Sequence, residues 1–178
     1  HACVLREGEL SEGLSVHALI DEQRRRATAR NHTATHLLQA ALRAVLGDQV
    51  RQAGSVVDQA RLRFDFSHHA KLSAEELSAV EDMVNGWIVA DARLSVAEGL
   101  TPEEARARGA LAFFGEKYGS TVRMVEIDGA SRELCGGTHV ARSADIMVVK
   151  IVSESAIASG VRRIEAVTGP AVMDWLRE

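Results

Sequence analysis

Leu37, Leu38, Ala41, Leu42 and Val45 recur at three-and-four spacing, while His32, Thr35, His36, Gln39 and Arg43 gather on the opposite side of the same projection. That pattern predicts a long amphipathic helix, capped by Asp21 and stopped by Gly47 after about Leu46. The period then changes to two. Leu62, Phe64 and Phe66 alternate with Arg61, Arg63 and Asp65, predicting a half-buried strand in "RLRFDFS" with "GSVVD" as its hairpin or neighbouring partner. Ser73 and Glu76 form a capping box that opens an amphipathic helix to about Ala90, and "RLSVAEGL" reads as a strand. Thr101, Pro102 and Glu104 start a short helix in "TPEEARARG". Strands are predicted at 121–127, 145–153 and 161–168, with a last helix from Pro170. The opening "VLREGELSEGLSVHALID" mixes short apolar pieces with Gly and Glu and predicts one or two strands joined by a turn. These elements, without an internal repeat or low-complexity linker, predict an α+β fold of mixed or antiparallel sheet packed with helices.

Composition narrows the functional classes. The chain has 178 residues, 46% of them hydrophobic and 26% charged, which suits one globular domain with a real core and excludes wholesale disorder. No apolar run approaches the ~18 residues of a membrane span. Two cysteines, Cys3 and Cys135, make no disulfide framework, and no secretory signal opens the sequence, so a reducing cytoplasm is expected. The net charge of −4 argues against a uniformly basic nucleic-acid binder, yet "QRRRATAR" and "GVRRIE" are concentrated positive islands that allow an RNA partner. The start at His1, without an initiator Met, leads us to expect the excised middle of something larger.

Candidate chemistry lies in two short stretches. "RNHTATHLL" places His32 and His36 one helical turn apart, close enough for both imidazoles to reach a single ion. A hundred residues on, "ELCGGTHV" offers Cys135 and His139, with Gly136 and Gly137 letting the chain bend tightly and approach another surface. Zn²⁺ favours such nitrogen and thiolate ligands, so His32, His36, Cys135 and His139 are the candidate ligands. Four protein ligands suit a structural ion and three plus water an open one; spacing leaves both possible. The absence of Glu after the first histidine removes the metalloprotease arrangement.

In this order, "NHTATHLLQAALRAVLG", "QAGSVV", "LRFDFSH", "FGEKYG", "ELCGGTHV" and "GVRRIEAVTG" resemble the editing domain of bacterial alanyl-tRNA synthetase, related to freestanding editing proteins and to the second additional domain of threonyl-tRNA synthetase. The resemblance runs from about Arg24 to Gly169. It implies an editing domain over 21–170, the tail of a preceding β-barrel over 1–20 and the start of a C-terminal helix over 171–178. It also implies zinc on the four ligands just named and hydrolysis of serine or glycine esterified to tRNA(Ala). Rivals are a zinc-stapled module that only binds tRNA and a freestanding protein acting in trans.

Within that resemblance Gln52 lies near the bound amino acid, so Gln52, Cys135 and Thr35 are the candidates for catalysis. Gln52, Gly136, Gly137, Thr138, Arg162 and Arg163 are those for substrate binding. The glycine amides stabilise an oxyanion or merely serve the turn, Thr35 and Thr138 hold serine's hydroxyl or only support the ligands, and Arg162 and Arg163 meet phosphates or solvent. Lys117 and Tyr118 belong to a pocket rim or to a turn. One departure stands out: where the family usually reads Asp-Ile-Gly, this chain has Asp145, Ile146 and Met147.

Overall fold

The first long helix, α1 (Glu22–Leu46), begins where Asp21 accepts the backbone N–H of Arg24 and ends at Gly47, whose φ of 111° no side-chain-bearing residue adopts easily. In this computed structural model, which describes residues 4–111 and 119–177, a hairpin follows: β1 (Gln52–Val57) and β2 (Leu62–Ser67). Then come α2 (Ala74–Val89), β3 (Leu94–Leu100), α3 (Pro102–Ala107), β4 (Val122–Ile127) and β5 (Ser131–Leu134). A 3₁₀ turn at Ser143–Ile146, β6 (Val149–Ala158), β7 (Val161–Thr168) and α4 (Pro170–Trp175) complete the order. Lys117 and Tyr118 lie outside the described residues.

The strands form two antiparallel sheets, β1-β2-β7-β6 and β3-β4-β5, so the fold is α+β as the pattern implies. Helices α1 and α2 cover the larger sheet, burying Leu37, Leu38, Leu42, Val80, Val84 and Ile88 against Phe64, Phe66 and Ile164. A smaller core of Leu100, Ala105, Val122, Met124 and Leu134 joins α3 to the second sheet. Removing this apolar surface from water supplies most of the drive to fold. Buried Asn31 then fixes where α1 lies, donating to the Asp58 carbonyl at 2.8 Å and accepting from the Thr168 hydroxyl at 2.7 Å. Helix α2 closes the outer edge of β6: Asn85 exchanges two 2.9 Å bonds with the Val149 backbone, and Glu81 accepts the Ile151 N–H.

At four places the structure departs from, or adds to, what the pattern shows. Residues 4–20 hold no strand; the segment is exposed, and no sheet edge in the described residues gives it hydrogen-bond partners. The polar side of α1 is not a solvent face, since Thr35, His36 and Gln39 are buried. The strand expected over 145–153 starts later and runs further, because Asp145 and Ile146 are spent in the 3₁₀ turn and Asp145 caps it by accepting the Arg142 N–H. Strand β5, four residues long, carries no periodic signal of its own.

Met147 ends the 3₁₀ turn at φ 76° and ψ −63°, the values of a strained γ-turn that side-chain-bearing residues avoid. Its side chain is largely exposed, so little packing offsets the strain. Met147→Gly is therefore expected to raise the unfolding free energy by about 1 kcal/mol, the relief of strain less the entropy that glycine adds to the unfolded chain. Denaturant titration of both proteins checks this; a loss of stability contradicts it.

Candidate metal centre

His32 and His36 project from consecutive turns of α1 toward the segment that leaves β5, where Cys135 and His139 wait. That segment is shaped by Arg123 on β4, whose Nη1 donates to the carbonyls of Cys135 at 2.9 Å and Gly137 at 2.8 Å. Its own carbonyl accepts the Cys135 N–H at 3.0 Å. One side chain thus folds the loop so that residues four apart face the same point.

The ligand atoms of His32, His36, Cys135 and His139 all lie within 4.8 Å of one another. Cys135 Sγ is 3.4 Å from both His32 Nε2 and His139 Nε2. Tetrahedral bonds of about 2.0–2.3 Å to nitrogen and sulfur require donor separations of about this size. Buried His36 Nε2 has no hydrogen-bond partner among the described residues, which an ion at the centre would remedy. The donor set, three imidazoles and one thiol, fits zinc better than an oxygen-seeking ion.

Residues around the ligands decide which ring nitrogen faces inward. His36 Nδ1 donates to Glu133 at 2.6 Å, and the other Glu133 oxygen accepts from Ser131 at 2.7 Å. Thr33 Oγ1 lies 3.2 Å from His139 Nδ1 and accepts the Val140 N–H at the same distance. Both contacts leave Nε2 free to bind metal.

Without an ion the cluster is an acid–base pair. Burial pushes the His36 imidazolium down, but the Glu133 carboxylate and the Cys135 sulfur raise its pKa to about 10. Burial pushes the Cys135 thiol up, yet the imidazoles of His139, His32 and His36 around it bring it to about 3. A metal would find the sulfur already ionised, as thiolate binding needs.

Beside the cluster is a cavity of about 210 Å³ lined by His32, Thr35, His36, Gln52, Ser55, Leu134, Cys135 and Gly136. It therefore unites Thr35, Gln52 and Gly136 with three of the candidate ligands. Gln52 Nε2 lies 3.3 Å from Ser55 Oγ, and Thr35 donates its hydroxyl to the Asn31 carbonyl at 2.8 Å. Thr35 can accept a hydrogen bond from a ligand but has no proton left to donate.

Thr138 opens instead onto a different surface, with Arg25 and Arg26. Arg162 and Arg163 do not line the cavity; Arg162 pairs with Glu154, and Arg163 forks across Asp65 at 2.7 and 2.8 Å. Glu133, Ser55 and Arg123 escaped sequence reasoning. Glu133, two places before Cys135 in "ELCGGTHV", and Ser55, in "QAGSVV", lay inside stretches already singled out, whereas Arg123 did not.

The two glycines differ. A Cβ on Gly137 would lie 2.0 Å from His32 Cε1, whereas one on Gly136 would meet nothing within 4 Å. The Gly137 amide also points back to Cys135 Sγ at 3.5 Å. Gly137→Ala should therefore expel His32 and cut bound metal to a small fraction of one ion per chain, while Gly136→Ala keeps it, as elemental analysis will read. Glu133→Gln should weaken metal affinity about 10–100-fold, measured by chelator competition, because the acceptor that orients His36 is lost. Unchanged affinity would contradict that reading.

Comparison with known proteins finds relatives along the whole chain. The model of the threonyl and alanyl tRNA synthetase second additional domain matches residues 122–165, a span that contains Cys135 and His139. Over all 178 residues the chain is 53% identical to "Alanine--tRNA ligase, chloroplastic/mitochondrial" of Micromonas pusilla (strain CCMP1545), covering 20% of that protein. Identity is 60% over 158 residues, 89% of the chain and 18% of the relative, to "Alanine--tRNA ligase" of Chlorobaculum tepidum. To the protein of that name from Thermotoga maritima it is 52% over 177 residues, 99% of the chain and 20% of the relative. The chain spans about a fifth of the length of these curated relatives. The chain thus resembles, over nearly its whole length, a segment of the alanine–tRNA ligases, and over residues 122–165 the threonyl and alanyl tRNA synthetase second additional domain.

Proposed function

We propose that this domain hydrolyses the ester joining serine or glycine to tRNA(Ala), at a zinc ion held by His32, His36, Cys135 and His139, as the editing part of an alanyl-tRNA synthetase. The observation that carries the reading is the convergence of three imidazoles and one thiol beside a cavity that also holds Gln52 and Thr35. The named relatives are ligases for alanine, which favours work within a synthetase over a freestanding protein acting in trans. The chemical need is plain. A pocket made for alanine cannot strongly exclude glycine, nor serine for one added hydroxyl, so a second hydrolytic site must supply the selectivity.

Zinc, when bound, supplies a Lewis acid that polarises an ester or lowers the pKa of water. The chain's own groups do the rest. Thr35 Oγ1, its proton already given to Asn31, accepts from serine's hydroxyl or amino group. Gln52, reaching Ser55, offers an amide at the cavity mouth to orient the ester. The Gly136 amide is the better candidate for an oxyanion, since that of Gly137 is directed at the Cys135 sulfur. A free Cys135 among the proposed ligands suits a reducing compartment, for which we propose the cytoplasm.

Four available protein ligands favour one competing reading, a closed structural zinc that staples a tRNA-binding surface. Deacylation of Ser-tRNA(Ala) beside Ala-tRNA(Ala) separates the two. Editing predicts selective loss of the seryl ester, falling about 100-fold or more in a folded His32→Ala/His36→Ala double variant and after chelation. No turnover by the zinc-loaded wild-type protein, with tRNA still bound, would contradict editing and favour the staple.

A further inference from the structure

Arg30 is a partly buried cation with no carboxylate within 4 Å among the described residues. Its Nε is fully buried and donates to no acceptor there, held against Gly169, where a Cβ would come within 3.1 Å of it. A desolvated guanidinium atom without an acceptor is unfavourable unless a ligand supplies one.

Arg30 walls a cavity of about 370 Å³ with Arg26, one turn earlier on α1, and with His139, Val140, Ala141 and Asp145. A neighbouring hollow carries this surface on through Arg25, Arg26, Ala29 and Thr138 to Glu22. Three arginines thus follow α1 toward His139. Two carboxylates oppose them, but both are engaged: Asp145 accepts the Arg142 N–H at 3.3 Å, and Glu22 meets Arg26 at 3.2 Å in an exposed pair. Such exposed pairs contribute little and exchange readily for a stronger anion.

The loop divides the two cavities. Cys135 and Gly136 line the one holding Gln52, while Thr138 and His139 line the arginine groove. We infer that the Arg26–Arg30 groove binds a backbone phosphodiester of the RNA whose aminoacylated 3′ end lies beside the ligand cluster. Arginine suits this task because its planar fork matches phosphate oxygens. The inference rests on the editing reading only for the position of that 3′ end.

The zinc-loaded chain and an uncharged RNA hairpin ending in the tRNA(Ala) acceptor sequence test it, with affinity measured across a salt series. Arg26→Gln/Arg30→Gln should weaken binding about 10-fold or more and reduce the log–log salt slope by about 1, the share of the one phosphate the groove holds. Arg30→Lys should keep the slope, and zinc content and thermal unfolding should match the wild type in every variant. Equal affinity and slope in the double variant would overturn the groove, as would a wild-type chain that binds no RNA. Inorganic phosphate at constant ionic strength should displace the hairpin only at millimolar levels; displacement at micromolar levels would mark a site for free phosphate and overturn the phosphodiester. A separate assay of seryl-adenosine hydrolysis tells the two readings apart. Arginine-dependent RNA binding without hydrolysis keeps the groove and removes editing, whereas hydrolysis with arginine-independent RNA binding removes the groove alone.

Discussion

The contact on which the site depends is the 2.6 Å hydrogen bond between His36 and Glu133, both almost wholly buried. It joins α1, which packs on the larger sheet, to β5 in the smaller one, and so brings the helix's two histidines to the loop that carries Cys135 and His139. Burying a carboxylate and an imidazole is unfavourable unless each is satisfied. Ser131 satisfies the second carboxylate oxygen, and an ion would satisfy the second imidazole nitrogen. The polar bridge between the sheets is therefore complete only when the centre is loaded.

Around that bridge each ligand is held by a different kind of restraint. Helical spacing sets His32 beside His36, the guanidinium of Arg123 curls the cysteine loop, and the Thr33 hydroxyl steadies His139. The bare α-carbon of Gly137 then lets the loop close onto His32. Pre-placed donors of this kind would lower the entropy lost when a metal binds.

Much of this was legible in the sequence. Two histidines off an apolar stripe, a cysteine four places before a histidine, and capping boxes at Ser73 and Thr101 each depend on neighbours close in sequence, where period and spacing speak directly. Features built from distant pairs were not legible. Glu133 acts on a residue 97 positions away, and nothing local separates it from a solvent-facing glutamate. Strand β5 is too short to show a period, and the γ-turn at Met147 is imposed by the turn before it. The opening segment shows the reverse failure, since its alternation suggested strands that, in the described residues, no partner strand completes.

The central claim is that His32, His36, Cys135 and His139 form one metal centre. X-ray absorption on the zinc-loaded protein addresses it most directly. The account predicts one sulfur at about 2.3 Å and two or three nitrogens at about 2.0–2.1 Å, with the sulfur shell lost in Cys135→Ser. A zinc shell of oxygen and nitrogen alone in the wild-type protein would contradict it.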